Sequence, residues 1–179
     1  MSGPPSDKTR PTEDRVRQAL FNVLGPRLIG ARCLDFFAGT GALGIEALSR
    51  GAAYSAFIEM DSRVVKVLRS NLALLSIPED SFRVWTGDAL RLAACLEEEG
   101  EEFGLIFLDP PYASKLYTPA LKMIQERKLL SPNGLVVLEH SIRDNIERSE
   151  DNWICQKTKV YGETMLEFWG LAPKEEDGV

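Results

Sequence analysis

The chain is 179 residues long and carries 21 Lys and Arg against 27 Asp and Glu, a net charge of −6, which suits one domain and excludes coating nucleic acid by charge alone. Three cysteines far apart, with His140 as the single histidine, exclude a zinc site and a disulfide framework. No apolar run reaches the ~18 residues of a membrane span and the Gly/Pro/Ser-rich start is no signal peptide, so the reading is a cytoplasmic, metal-free protein that keeps room for a local basic mouth.

Residues 1–9 read as a flexible lead-in. Pro11-Thr12-Glu13-Asp14 looks like a helix start, with Thr12 as N-cap and two acids in the first turn. Val16, Ala19, Leu20, Val23 and Leu24 follow at helical spacing, and Gly25-Pro26 ends the stripe. Strands are expected at Arg32 to Phe37, Tyr54 to Ile58, Phe82 to Thr86, Phe103 to Leu108 and Leu135 to Leu138. Helices are expected over Leu43 to Arg50, Ser62 to Leu75, Ala89 to Glu98 and Leu116 to Arg127. Pro132-Asn133-Gly134 reads as the turn before the fifth strand. Such alternation implies a parallel sheet with helices on both faces.

The last two strand-like runs, Ile154 to Val160 and Thr164 to Trp169, are separated only by Tyr161-Gly162-Glu163. That is too short for a parallel crossover, so an antiparallel hairpin ends the sheet. A single α/β domain over residues 10–171, followed by an acidic tail over 172–179, accounts for the whole pattern.

Two segments carry chemistry. Asp35-Phe36-Phe37-Ala38-Gly39-Thr40-Gly41-Ala42-Leu43-Gly44 places Gly-x-Gly-x-x-Gly between a strand and a helix, where the backbone turns sharply and approaches a ligand without a Cβ in the way. The pattern fits a dinucleotide or S-adenosylmethionine. Asp35 separates them: it opposes a pyrophosphate but suits the cationic methionyl amine of S-adenosylmethionine, directly or through water. Glu59, ending the second strand, suits the ribose hydroxyls of either cofactor. Asp88 is placed to meet an adenine amine or to cap the next helix, or both.

The second segment is Asp109-Pro110-Pro111-Tyr112, which follows an apolar strand. Its prolines end the strand and set a rigid corner at the sheet's carboxyl edge, where ligands of open α/β sheets bind. A nucleobase amine is a poor nucleophile because its lone pair is delocalised into the ring. If the Asp109 carboxylate and the Pro110 carbonyl each accept one N–H, the nitrogen can pyramidalise and aim that pair at a methyl donor. Tyr112 is placed to stack on the flipped base.

The pairing of Asp35 to Gly44 with Asp109 to Tyr112 resembles class I S-adenosylmethionine-dependent methyltransferases that act on exocyclic amines. More narrowly, Arg10-Pro11-Thr12-Glu13-Asp14-Arg15-Val16-Arg17, Leu20-Phe21-Asn22, the segment Asp35 to Gly51 and Tyr161-Gly162-x-Thr164 together resemble the RsmD-like family, which methylates the guanine N2 of bacterial 16S ribosomal RNA. The resemblance implies a Rossmann-like, seven-stranded, mostly parallel sheet in the order 3-2-1-4-5-7-6. It implies S-adenosylmethionine held by Asp35, Ala38, Gly39, Thr40, Gly41, Glu59, Met60, Asp88 and Ala89. Asp109, Pro110, Pro111 and Tyr112 would carry catalysis, with no metal. The partner would be ribosomal RNA or a small ribosomal subunit assembly particle, met by a monomer. Members of that family usually begin with a basic hairpin ahead of Arg-Pro-Thr, which Met1 to Thr9 is too short to supply, and Gln18 stands where they often have Glu.

Arg10, Arg15 and Lys115 are candidate phosphate contacts, each with ordinary solvated charge as its alternative. His140 reads as a structural histidine just after the fifth strand, and Trp85, Trp153 and Trp169 as packing. Two other activities fit parts of the pattern. Amino-methylation of adenine N6 in DNA or RNA uses the same proline corner, and a dinucleotide-dependent oxidoreductase would need only the glycine loop.

Overall fold

The structure is a computed structural model that describes residues 11–111, 115–144, 146 and 152–172. Its seven strands are β1 (Arg32–Asp35), β2 (Tyr54–Glu59), β3 (Phe82–Thr86), β4 (Phe103–Leu108), β5 (Leu130–Ser141), β6 (Trp153–Tyr161) and β7 (Thr164–Leu171). They form one sheet in the order β3-β2-β1-β4-β5-β7-β6. The first five strands run parallel, while β7 is antiparallel to both β5 and β6. The order and the antiparallel hairpin match the sequence reading. At the hairpin tip Gly162 takes φ +61° in the first position of a two-residue turn, a conformation that favours glycine there.

Side chains of the central strands alternate between two faces, and helices pack on both. On one side Cys33, Leu105, Phe107, Leu135, Val137, Leu166 and Phe168 are buried against Val16, Leu20, Phe21 and Leu24 of α1 (Pro11–Leu24). That side is completed by α2 (Ala42–Ser49) and α3 (Ser62–Leu74), whose Leu68 and Leu72 pack on Phe57. On the other side Leu34, Ile106, Leu108, Val136 and Leu138 meet α4 (Ala89–Glu98) and α5 (Tyr117–Glu126). Strands buried on both faces are the reason their sequences read as apolar runs.

Three local expectations are corrected. The helix α1 already includes Pro11, so Thr12 lies inside the first turn and is not the cap. The first strand stops at Asp35 instead of Phe37. The Phe36 N–H still donates to the Phe107 carbonyl of β4, but the Ala38 N–H donates to the Ile58 carbonyl of β2, so the chain has already crossed from one neighbour to the other. Finally, Pro132-Asn133-Gly134 is no turn ahead of a strand. It lies inside β5, where pairing jumps from Phe103 opposite Leu130 to Leu105 opposite Leu135, and the Arg27 guanidinium donates to the Asn133 carbonyl at 3.3 Å.

His140 is likewise inside β5 and buried. Its Nε2 lies 3.4 Å from a Glu167 carboxylate oxygen and its Nδ1 lies 2.9 Å from the Ser141 carbonyl. Burial lowers the affinity of the imidazole for its proton, but Glu167 and the Ser141 carbonyl outweigh this and hold it above the usual histidine range. Trp153 and Trp169 are buried, and half-buried Trp85 lies under the Arg83 guanidinium, 4.0 Å from its ring centre.

Candidate functional site

The strand order reverses between β1 and β4: β1 leads to β2 on one side, and β4 leads to β5 on the other. Loops leaving the carboxyl ends of two such strands diverge and leave a crevice, the usual ligand position in an open α/β sheet. Asp35 ends β1 and Asp109 follows β4, so the two carboxylates named by the sequence flank this crevice.

The glycine loop forms the floor. Gly39 has φ +52° and Gly41 φ +88°, conformations that side chains rarely adopt. Nothing lies within 4 Å of where a Cβ on Gly39 would stand, whereas one on Gly41 would meet Leu68 Cδ1 at 2.2 Å and one on Gly44 would meet the Phe57 ring at 2.3 Å. The glycines thus divide the work. Gly39 leaves an open approach to the backbone, while Gly41 and Gly44 let α2 settle on α3 and β2.

Backbone hydrogen bonds fix the acids around that loop. Asp35 is 2% exposed, and its Oδ2 accepts from the Gly44 N–H at 3.0 Å. Glu59 accepts from Gly39 N–H at 2.9 Å with one oxygen and from Asp61 N–H at 2.8 Å with the other. Carboxylate oxygens hold two lone pairs each, so Glu59 keeps capacity for ligand hydroxyls. Burial pushes the Asp35 carboxyl up to about 7; the Gly44 N–H opposes this, and Asp109 and Glu59 add to it. Asp35, repelled by Asp109 and by Glu59, sits in a site that a cation relieves and a diphosphate aggravates.

Other expected ligand residues line the same edge. Ala38 is buried, and Thr40 is exposed, with its carbonyl accepting from Asn71 Nδ2 at 3.0 Å. Met60 is 71% exposed just past Glu59. The Gly87 N–H donates to the Glu59 carbonyl at 3.0 Å, holding the end of β3 beside it. Asp88 caps α4 by accepting from the Arg91 N–H at 2.9 Å, and Ala89 is buried behind it. The capping role of Asp88 is present, and a ligand role remains compatible with it.

On the far side Asp109 is exposed, Pro110 buried and Pro111 exposed. Tyr112 and Arg10 lie outside the described residues. Arg15 and Lys115 are exposed. Two further residues belong to this edge and were not picked out from sequence. The Tyr117 hydroxyl donates to the Glu139 carbonyl at 2.6 Å, tying the start of α5 to β5. Burial first, then Asp109, Asp144 and Glu139, push the Tyr117 phenol well above its ordinary value. Among the described residues no group of His, Cys, Asp and Glu is arranged to hold a metal ion, and no helix is long and apolar enough to cross a membrane.

Comparisons with known proteins agree with this geometry. The family model described as Conserved hypothetical protein 95 matches residues 1–170. The chain is 38% identical over 166 residues to Ribosomal RNA small subunit methyltransferase D of Escherichia coli, covering 93% of this chain and 81% of that protein. Among solved structures, yhhF from Escherichia coli superposes with a TM-score of 0.81 at 36% identity, covering 94% of this chain and 90% of that one. SMU.776, described as "a putative methyltransferase complexed with SAH", shares the fold at a TM-score of 0.72 and 15% identity, over 88% of this chain and 49% of its own.

Proposed function

Because the chain belongs to the Conserved hypothetical protein 95 family, we propose that it is an S-adenosylmethionine-dependent methyltransferase that modifies the exocyclic N2 amine of a guanine in small-subunit ribosomal RNA. The observation that carries the reading is the crevice between β1 and β4, with Asp35 on one wall, Asp109 on the other and the open face of Gly39 below. The 16S RNA relatives supply the substrate class. We further place the protein in the cytoplasm as a monomer that meets ribosomal RNA or a small-subunit assembly particle.

The residues fit the cofactor on chemical grounds. The Gly39 face admits a ligand against the backbone, Glu59 retains acceptor capacity for ribose hydroxyls, and the carboxylates favour positive charge. Bound there, S-adenosylmethionine supplies an electrophilic methyl group on a sulfonium sulfur. The protein's share of the chemistry lies at the proline corner. Asp109 and the Pro110 carbonyl accept the two N–H bonds of the target amine, draw the nitrogen out of conjugation and hold its lone pair toward the cofactor side of the crevice. The nitrogen gains positive charge as it gains carbon, and the same acceptors stabilise that charge. Its surplus proton leaves through the exposed Asp109 carboxylate to water. Tyr112 stacks on the flipped base, and Arg10, Arg15 and Lys115 supply cations for phosphates.

The test uses labelled S-adenosylmethionine and small ribosomal subunits, or their naked RNA, lacking the modification. Mass spectrometry of the digested RNA should show N2-methylguanosine at one nucleotide. Methylated adenosine would shift the assignment to adenine N6, and no transfer to any nucleotide would remove the activity.

A further inference from the structure

We infer that Glu139 is the residue that selects guanine, by accepting the N1–H on the base's Watson–Crick edge beside Asp109. This deepens the proposed function and rests on it. Strands β4 and β5 pair in parallel with Phe107 opposite Val137 and Leu108 opposite Leu138; the next residues of the two segments are Asp109, just past the end of β4, and Glu139, still within β5. Side chains alternate along β5: Val136 and Leu138 face α4 and α5, while Leu135 and Val137 face α1. Glu139 is opposite Leu166 of β7, itself packed on the α1 side. Glu139 therefore rises on the α1 face. Asp35 is on that face as well, because it pairs with Phe107. Glu139 is half-buried and Asp109 exposed, and both act on the Tyr117 hydroxyl. Glu139 on β5 and Asp109 just past the end of β4 thus bring two carboxylates to the mouth of the acceptor half.

The donor pattern of the base decides what such a pair recognises. Guanine presents N2–H₂ and N1–H side by side, two donors facing two acceptors. Adenine presents an N6 donor beside an N1 acceptor, so one carboxylate would face a lone pair. A site built to accept a hydrogen bond rejects the analogue lacking the donor, because the half-buried Glu139 carboxylate then faces a lone pair instead of an N–H. Asp109 and the Pro110 carbonyl orient any amine, and Glu139 makes the site specific.

The experiment compares 16S RNA ligated with guanine or with 2-aminopurine at the nucleotide mapped above, since 2-aminopurine keeps the N2 amine but has an acceptor at N1. Wild-type enzyme should prefer guanine in kcat/KM by about 10- to 100-fold, the loss expected for one charge-assisted hydrogen bond. Glu139→Gln offers an N–H to an acceptor N1, so its preference should fall to near one. S-adenosylhomocysteine affinity should stay at the wild-type value, because Glu139 stands on the acceptor side of the crevice, away from the Gly39 loop and Glu59. Glu139→Asp, which keeps the charge at shorter reach, should recover part of the preference and serves where Glu139→Gln does not fold. Equal turnover of both RNAs by wild type, or an unchanged preference in either variant, overturns the inference. Failure of the proposed function itself looks different: wild type then methylates neither RNA.

Discussion

The two walls of the crevice are built differently. On the β1–β2 side the acids are fixed by backbone N–H groups: Asp35 by Gly44 of the loop that follows it, Glu59 by Gly39 of that same loop and by Asp61 of its own. On the β4–β5 side Asp109 is exposed on a proline corner, and its neighbours come from β5 and α5, remote in sequence. The contrast teaches that a ligand common to every turnover can be met by a preformed, locally encoded cradle. A base that must enter from a folded RNA needs an open wall set by strand register.

Substitutions should separate the walls, and the largest effect belongs to the open one. Asp109→Asn keeps size but turns one acceptor into a donor that faces the amine's own N–H groups. Methyl transfer should fall by about 10²–10³-fold, as when one positioned polar group is removed from a reacting centre, while S-adenosylhomocysteine affinity stays largely intact. Equal losses in both measurements would join the two walls into one unit.

The preformed wall should respond in binding. Glu59→Ala should weaken S-adenosylhomocysteine by about 1.5–3 kcal/mol, the range for hydrogen bonds to a charged group, as read by calorimetry. Gly44→Ala tests the packing beneath. Its Cβ would stand 2.3 Å from the Phe57 ring, so stability in denaturant should drop by about 1–3 kcal/mol without any ligand present.

Asp35 links binding to pH. Its carboxyl is pushed up to about 7 from an ordinary 3.8, so between those values the folded protein holds a proton that the unfolded chain has lost. Stability should therefore be highest below about pH 4 as far as this group is concerned and fall as pH rises to 7. Asp35→Asn removes that fall. Its Tm should gain on wild type progressively from pH 4 to pH 8, while cofactor affinity worsens; parallel pH curves would show that Asp35 ionises freely. The smallest expected effect is none: transfer of a methyl group from sulfonium to amine needs no Lewis acid, so EDTA should leave activity unchanged on RNA that stays folded, and restoration by one specific divalent ion would contradict this.

The same division governs what could be read from sequence. Strand–helix alternation and the short link at Tyr161-Gly162-Glu163 are local signals, and the parallel sheet closed by an antiparallel hairpin that they imply is observed, in the strand order that the family resemblance implied. The glycine loop and Asp35 are equally local. Register is not. Pro132-Asn133-Gly134 carries turn residues, yet β5 absorbs it as an irregularity because Leu130 still pairs with Phe103. With the fifth strand expected to end at Leu138, Glu139 and His140 fell outside it. Leu135, Val137 and Glu139 alternate on one face, a period-two signal that would have extended the strand had an acid been counted as part of it. Tyr117, whose hydroxyl reaches the Glu139 carbonyl, has no local signature; only the docking of α5 on β5 reveals it.

The account stands most directly on what the β1–β2 cradle binds. Titrating the protein at pH 7 with S-adenosylhomocysteine and, separately, with NAD in a calorimeter measures this without any RNA. Carboxylates on both walls predict saturable heat with S-adenosylhomocysteine, accompanied by proton release as the methionyl ammonium lowers the Asp35 pKa, and no heat with NAD. Binding of NAD with no response to S-adenosylhomocysteine would contradict the methyltransferase account.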